Sequence, residues 1–422
     1  MTHRRRRLLP SSAAPAPPPA VENDDVLSEI LLRLPPRPSS LPRASLVCAR
    51  WRRLVSDPHF LRRFRAHHRK PPLLGFFSRD ADGDVVFTST LDSPDRISAA
   101  RFSLRLKGAI NCHLLGCRHG RVLVVNRRSL YCLVWDPVSG DQLRVAFPPA
   151  FRGKDGKYVA NGAVVCAAGE HGHVHGGCHS SPFQVVLLGV DFEGVFACVY
   201  SSGTGAWGSV ISLSWPYDTW GVAPDCPNVM VGNSIWWLLL GERSFGVLEF
   251  DLSRQSLATV EIPSNIVDSN VWMGDSSQFL ITPADGGGLN FLVLKGFNAR
   301  VWKWEANCYG DASWVLGNDF DLNSLLLLKA GVDAKPPLIL GLNEDDNVMF
   351  LSTNAGVFMV HLESLKFKKF YKRIIHSDDT HHPFTSFYSS EGVLIASAAA
   401  ANSDPTLKAR SSNSEQLQRQ LF

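Results

Sequence analysis

The chain has 422 residues, of which 45% are hydrophobic and 19% charged, a balance that excludes wholesale disorder, collagen and coiled coil. At ~150 residues per domain it holds two or three domains. Its net charge of +4 is lopsided: residues 1–70 carry fifteen Lys/Arg against five Asp/Glu, whereas the rest of the chain is mildly acidic. A nucleic-acid-binding body spreads positive charge over a folded face, so neither nucleic acid nor membrane is expected as a partner.

The N-terminus, with Arg4–Arg7 followed by a Pro/Ala/Ser stretch, lacks the 7–15-residue apolar run of a secretory signal. Residues 1–22 are expected to be a disordered basic tail, the Arg patch being compatible with an organelle or nuclear address. The cysteines at 48, 112, 117, 132, 166, 178, 198, 226 and 308 are odd in number and irregularly spaced. That suits a reducing compartment better than a disulfide framework, and residence in nucleus or cytoplasm is expected. The longest apolar run, Ser234–Gly241, is far below the ~18 residues of a membrane span.

Residues 23–68 read as helical. Asn23 is placed to cap a first helix with Asp24 and Asp25 in its first turn. Val26, Leu27, Ile30, Leu31 and Leu34 follow at helical spacing, and Pro35-Pro36 ends the run. Ser40 is placed to cap a second helical stretch that carries Leu41, Ala44, Val47, Cys48, Trp51, Leu54 and Val55. Phe60, Leu61 and Phe64, after Asp57-Pro58, mark a further short helix. About fifteen large apolar side chains in so small a block exceed what its own core hides. Such a surplus is expected to lie against a partner, the alternative being the β-rich body of the same chain.

From 72 to 397 the chain reads as strands. Leu133–Val145, Cys198–Val210, Leu248–Val260, Val301–Val315 and Phe358–Phe367 each pair an apolar strand, a polar turn and a second strand. Their turns at Asp136, Ser201, Asp251 and Glu305 are 65, 50 and 54 residues apart. A period near ~50 fits four-stranded propeller blades. The expected fold is therefore a multidomain α plus all-β protein: a small N-terminal helical module, then a β-propeller of six or seven blades. A β-sandwich or two smaller β-domains are the alternative. Residues 398–422 read as a polar tail.

No phosphate-cradling Gly-x4-Gly-Lys-Ser/Thr, no Gly-x-Ser-x-Gly and no His-Glu-x-x-His is present, so no catalytic residue is expected. The run His171-Gly-His-Val-His-Gly-Gly-Cys-His179 is rich in soft donors, but its glycines mark a surface insertion. It is read as an incidental polar loop, with no metal and no cofactor expected. Cys112-His113 with Cys117 and His119 straddles a strand whose alternate side chains diverge, and is read the same way. Trp135, Trp207, Trp236, Trp237, Trp302, Trp304 and Trp314 fall in or beside the repeats and are expected between blades. Trp215, Tyr217 and Trp220 fall in a Pro/Gly-containing loop and are the candidate substrate anchors.

The run Asn23-Asp-Asp-Val-Leu-Ser-Glu-Ile-Leu-Leu-Arg-Leu-Pro-Pro36, continuing through Leu41-Pro-Arg-Ala-Ser-Leu-Val-Cys-Ala-Arg-Trp-Arg-Arg-Leu-Val-Ser-Asp-Pro58, resembles an F-box of the large plant families, grass members in particular. Glu22-Asn23 stands where many F-boxes have Leu-Pro, and Ala49 where Lys is frequent. The strand region resembles, more loosely, the F-box-associated repeats of the same proteins. The resemblance implies that Val26, Leu27, Ile30, Leu31, Leu34, Pro35, Leu41, Val47, Cys48, Trp51 and Leu54 face a Skp-type adaptor or form the module's own core. Through the adaptor, cullin and RING proteins would be engaged. It further implies that the propeller holds an unidentified protein substrate for ubiquitination and that the chain is a non-catalytic subunit. A stand-alone glycan- or ligand-binding propeller with a vestigial F-box is the alternative, and a metal-dependent enzyme using the His171–His179 run is a third reading.

Overall fold

The computed structural model describes residues 23–106, 111–152, 157–169, 173–215, 219–224, 226–241, 244–267, 278–284, 286–306, 312–328, 336–370 and 380–388. The tails read at 1–22 and 398–422, Tyr217 and His171 lie outside them. The chain divides into two compact units, a helical one through His68 and a second from Arg69 to Tyr388. Among the described residues no helix is long and apolar enough to cross a membrane.

Four helices form the first unit: α1 (Asp24–Leu32), α2 (Ser40–Ser45), α3 (Ala49–Ser56) and α4 (Pro58–His68). The Asn23 side chain caps α1 by accepting from the Asp25 amide at 2.8 Å, and Asp57 caps α4 through the His59 and Phe60 amides. Leu27, Leu31, Leu32, Leu41, Ala44, Val55, Phe60 and Phe64 make the core. The second helical stretch expected from 40 onward is in fact two helices, broken at Leu46–Cys48. Apolar periodicity runs through the break, so only the backbone reveals it. Ser40 is the first residue of α2, and Ser39, the cap position, makes no side-chain cap bond.

The second unit is six antiparallel sheets, a six-bladed propeller rather than a sandwich. Blade 2 shows the pattern. Its strands Cys112–Arg118, Arg121–Asn126, Tyr131–Trp135 and Gln142–Ala146 pair in sequence order. Blades 5 (Phe279–Asp321) and 6 (Leu338–Phe370) repeat it, whereas blades 3 (Tyr158–Ser214) and 4 (Thr219–Ile262) each carry a fifth short strand. Blade 1 is composite: Leu73–Arg79 pairs with Val85–Ser89 on one side and with the late strand His382–Thr385 on the other. The inner strands pack in a closed circuit, His382–Thr385 touching both Cys112–Arg118 of blade 2 and Leu338–Asn343 of blade 6. Closure leaves few free sheet edges.

Period-2 alternation explains how the blades adhere. Every residue of Arg121–Asn126 is buried, because both faces of this strand are covered. Val122 and Val124 join the blade 1 cluster around Leu74, Phe77, Phe87 and Phe384. Leu123 and Val125 join the blade 3 cluster around Val185, Leu187 and Phe196. The tryptophans serve the same joints. Trp135 and Trp237 are buried between sheets, and the outer-strand Trp207 and Trp314 each donate an indole N–H to the preceding blade, at Ala146 O and Glu261 O, both 2.9 Å away.

Candidate functional site

The residues read for the adaptor fall into two sets. Leu27 and Leu31 are fully buried and Leu41 nearly so. They are core, and present no surface to a partner as the module stands. Leu34, Trp51 and Leu54 are half-buried and packed on that core. Val26 (39% exposed), Ile30 (43%) and Val47 (61%) face solvent, as do Pro35 and Cys48. Val26 and Ile30 lie one turn apart on α1. Leu46, which the sequence reading missed, is the most open of all at 66%. It precedes Val47 in the α2–α3 turn, where helical spacing conceals exposure. The Arg50 guanidinium at the start of α3 donates to Asp24 at the start of α1 at 2.6 Å. This sets the Leu46–Cys48 turn at the same end of the module as Val26. Exposed apolar side chains gathered on a small polar module are the mark of a docking face.

Of the candidate substrate anchors, Trp215 and the backbone of Trp220 lie among the described residues. Trp215 is half-buried, packs on the core between blades 3 and 4, and donates its indole N–H to Asp191 O at 2.9 Å. Its indole N–H is satisfied within the fold. The backbone of Trp220 belongs to the strand Thr219–Val222, not to a loop.

Polar side chains from several blades meet at the propeller's centre. Arg118, Asn228 and Glu344, from blades 2, 4 and 6, line a cavity of about 40 Å³, room for a few waters only at ~10–15 Å³ each. Burial, followed by the neighbouring Glu344 and Asp346 charges, holds the Asp345 carboxyl above the usual carboxylate range.

The His171–His179 run is more ordered chemically than an incidental loop. His173, His175 and Cys178 converge with Cys166, their donor atoms all within 4.8 Å of one another. Cys166 lies outside the quoted run, at the end of the blade 3 inner strand, so only tertiary structure adds it. A hydrogen bond with Cys178 pushes the Cys166 thiol down, while the same contact and burial push Cys178 up. Cys112 and His113 take no part: Cys112 is buried against Asn126, and burial lowers His113 to about 4.

A helical module with an exposed apolar face, followed in the chain by a six-bladed propeller, fits the architecture of an F-box receptor protein. Residues 24–67 match the F-box-like domain, and residues 113–388 match the family described as F-box protein AT5G49610-like, beta-propeller. The chain belongs to that family. The match begins within blade 2 and so omits the Leu73–Ser89 strands of blade 1. F-box β-propeller proteins are generally non-catalytic adaptors. No curated protein matches the chain. Among solved structures, a functionally unknown protein from Desulfotomaculum acetoxidans DSM 771 is 14% identical with a TM-score of 0.38, covering 74% of this chain and 99% of its own. The periplasmic gluconolactonase PpgL of Pseudomonas aeruginosa is 14% identical with a TM-score of 0.36, covering 71% and 82%. At such scores neither likeness bears on the fold or the function.

Proposed function

We propose that the chain is the substrate-recognition subunit of a Skp-cullin-F-box ubiquitin ligase. The exposed set Val26, Ile30, Leu46 and Val47 docks on a Skp-type adaptor, which links the chain to cullin and RING proteins. The propeller holds a protein substrate. The chain contributes no bond-making group; it accelerates transfer by holding substrate lysines near a charged conjugating enzyme, which is catalysis by proximity. The observation that carries this reading is the division of the helical module's apolar residues into a filled core and a surplus left in solvent.

The test is co-purification of the full-length chain with a Skp-type adaptor, beside an Ile30→Asp/Val47→Asp variant. Wild type is expected to bind and the variant to lose binding while its helical circular dichroism persists, because charge in an apolar interface core costs several kcal/mol. Failure of the folded wild type to bind would remove the ligase reading and promote a stand-alone binding module.

A further inference from the structure

The cluster on blade 3 has the composition and the spacing of a metal site. His173 Nε2 lies 3.4 Å from Cys166 Sγ and 3.2 Å from Cys178 Sγ, and His175 Nδ1 lies 3.7 Å from Cys178 Sγ. A tetrahedral zinc ion, with Zn–S of ~2.3 Å and Zn–N of ~2.0–2.1 Å, sets its donors about 3.5–3.8 Å apart. These three pairs thus stand within a few tenths of an ångström of tetrahedral spacing, and all four donor atoms lie within 4.8 Å of one another. We propose that Cys166, His173, His175 and Cys178 bind one zinc ion as a closed Cys2His2 site that fastens the blade 3 insertion onto the seam where the propeller ring closes.

Two thiolates neutralise the ion's charge, so the complex is uncharged and suits a site in which Cys178 is buried and the other donors half-buried. Four protein donors leave no open position, which marks a structural rather than a catalytic zinc. The surroundings already orient the donors, as outer-shell partners of metal sites do. The His119 ring stacks on His175 with centroids 3.7 Å apart, and its Nδ1 accepts from the Cys166 amide at 3.0 Å. The Arg121 guanidinium donates to the carbonyls of Cys178 and Ser181 and lies over the Phe183 ring.

What the metal would hold is set by Gly176, between His175 and Cys178. Its carbonyl accepts from the Phe387 amide and the Ser386 hydroxyl, both at 3.0 Å. Its φ is +95° and a Cβ there would lie 2.5 Å from Pro71, so only glycine makes this close approach. Pro71 and Ser386–Phe387 flank the two strands whose pairing closes the ring. Past the site, His179 to Phe183 form one wall of a surface cleft of about 440 Å³. The ion would therefore fix both the seam and the shape of this outer surface.

The experiment uses the full-length, untagged chain, expressed with zinc and kept reduced. Elemental analysis is expected to find one zinc per chain. Exchange with cobalt is expected to give tetrahedral d–d bands with thiolate-to-cobalt charge transfer. Cys178→Ser and His173→Ala are each expected to lose the metal, while Cys48→Ser, in the helical unit, retains it. Removing zinc with a chelator is expected to speed amide exchange at Phe387 and His382–Thr385 but not in Tyr131–Trp135. A folded, reduced wild type that takes up no zinc overturns the proposal. So does a Cys166–Cys178 disulfide in the native protein, or zinc retained equally by the Cys178→Ser and His173→Ala variants.

Discussion

Arg118 of blade 2 and Glu344 of blade 6 form a fork-to-fork ion pair across the propeller's centre, Nε to Oε1 at 2.5 Å and Nη2 to Oε2 at 2.8 Å. Blade 4 completes it: Asn228 accepts from Arg118 through its side chain at 2.9 Å and its carbonyl at 3.2 Å, and the Met230 amide donates to Glu344 at 2.8 Å. The Asn228 amide in turn donates to Gly162 of blade 3. Four of the six blades therefore meet in one buried polar knot. Burial works against the Arg118 charge, but Glu344, with Asp345 and Cys117, more than offsets it and raises the guanidinium above its ordinary value.

Because Glu344 is the carboxylate in contact with the buried Arg118 guanidinium, breaking the pair should cost more than removing it. Glu344→Ala is expected to destabilise the propeller by about 3–5 kcal/mol, since it leaves a buried guanidinium without its counter-charge. The double replacement Arg118→Met/Glu344→Leu is expected to cost clearly less. Urea denaturation followed by tryptophan fluorescence checks both; equal losses would show that packing, not charge, dominates the knot.

Ring closure concentrates risk at two positions. Phe384, in the closing strand, is fully buried among Phe77, Phe87 and Phe102, with centroids 5.3–6.2 Å away. Phe384→Ala is expected to cost about 3–5 kcal/mol through lost burial and the cavity it leaves. At Gly341, on the inner strand of blade 6, a Cβ would meet the His381 carbonyl oxygen at 2.0 Å, and that neighbour is backbone, which cannot swing aside. Gly341→Ala is therefore expected to separate blade 6 from blade 1. The separation is readable as faster proteolysis of the 380–388 segment, with the helical module's thermal transition unchanged.

That closing strand also marks where sequence reading stops. The hairpin from Tyr131 to Ala146 is visible as alternation around the Asp136 turn, and the Ser256–Ile262 strand likewise, because their partners are a few residues away. His382–Thr385 pairs with Leu73–Arg79, some three hundred residues earlier, and its own four residues carry no alternation that names a partner. The helical module shows the same boundary. Spacing finds the apolar residues of α1, but Leu27 and Ile30 differ only in which neighbours α4 and α2 bring. The indole contact of Trp215 is not legible either, because its acceptor, Asp191 O, lies 24 residues back in the chain. Cys166 was invisible as a donor for the same reason: its partners converge through a turn that glycines permit and no periodicity encodes.

The closing strand should also make the propeller acid-sensitive. Burial, and then the adjacent His381, lower His382 from 6.5 to about 3. The folded state therefore keeps this imidazole neutral while the unfolded chain protonates it below pH 6.5. Its contribution is fully present above pH 6.5 and is lost as pH falls toward about 3, at about 1.4 kcal/mol per pH unit. Asp345 acts with the opposite sign: its raised value means the folded state takes up a proton first, which offsets part of the loss at the acidic end. His382→Gln is expected to flatten the stability-versus-pH slope between pH 6 and 4.5 relative to wild type, as read from urea midpoints at each pH. An unchanged slope would place the acid sensitivity elsewhere.

The helical module allows core and surface to be separated by two neighbouring residues. Leu31 is fully buried and packs with Leu27 and Phe60, whereas Ile30, one position earlier on α1, is 43% exposed. Leu31→Asp buries an unpaired carboxylate and is expected to unfold the module, with loss of its helical signal and, as a consequence, of any adaptor binding. Ile30→Asp places the same charge in water and is expected to change stability by no more than about 0.5 kcal/mol. Its effect on adaptor binding is expected to be large all the same, because the residue's apolar surface is available only to a partner. Thermal melts paired with adaptor titrations distinguish the two. If Ile30→Asp binds the adaptor as tightly as wild type, α1 does not present its exposed edge to the adaptor, and the docking face must lie around Leu46 and Val47 alone.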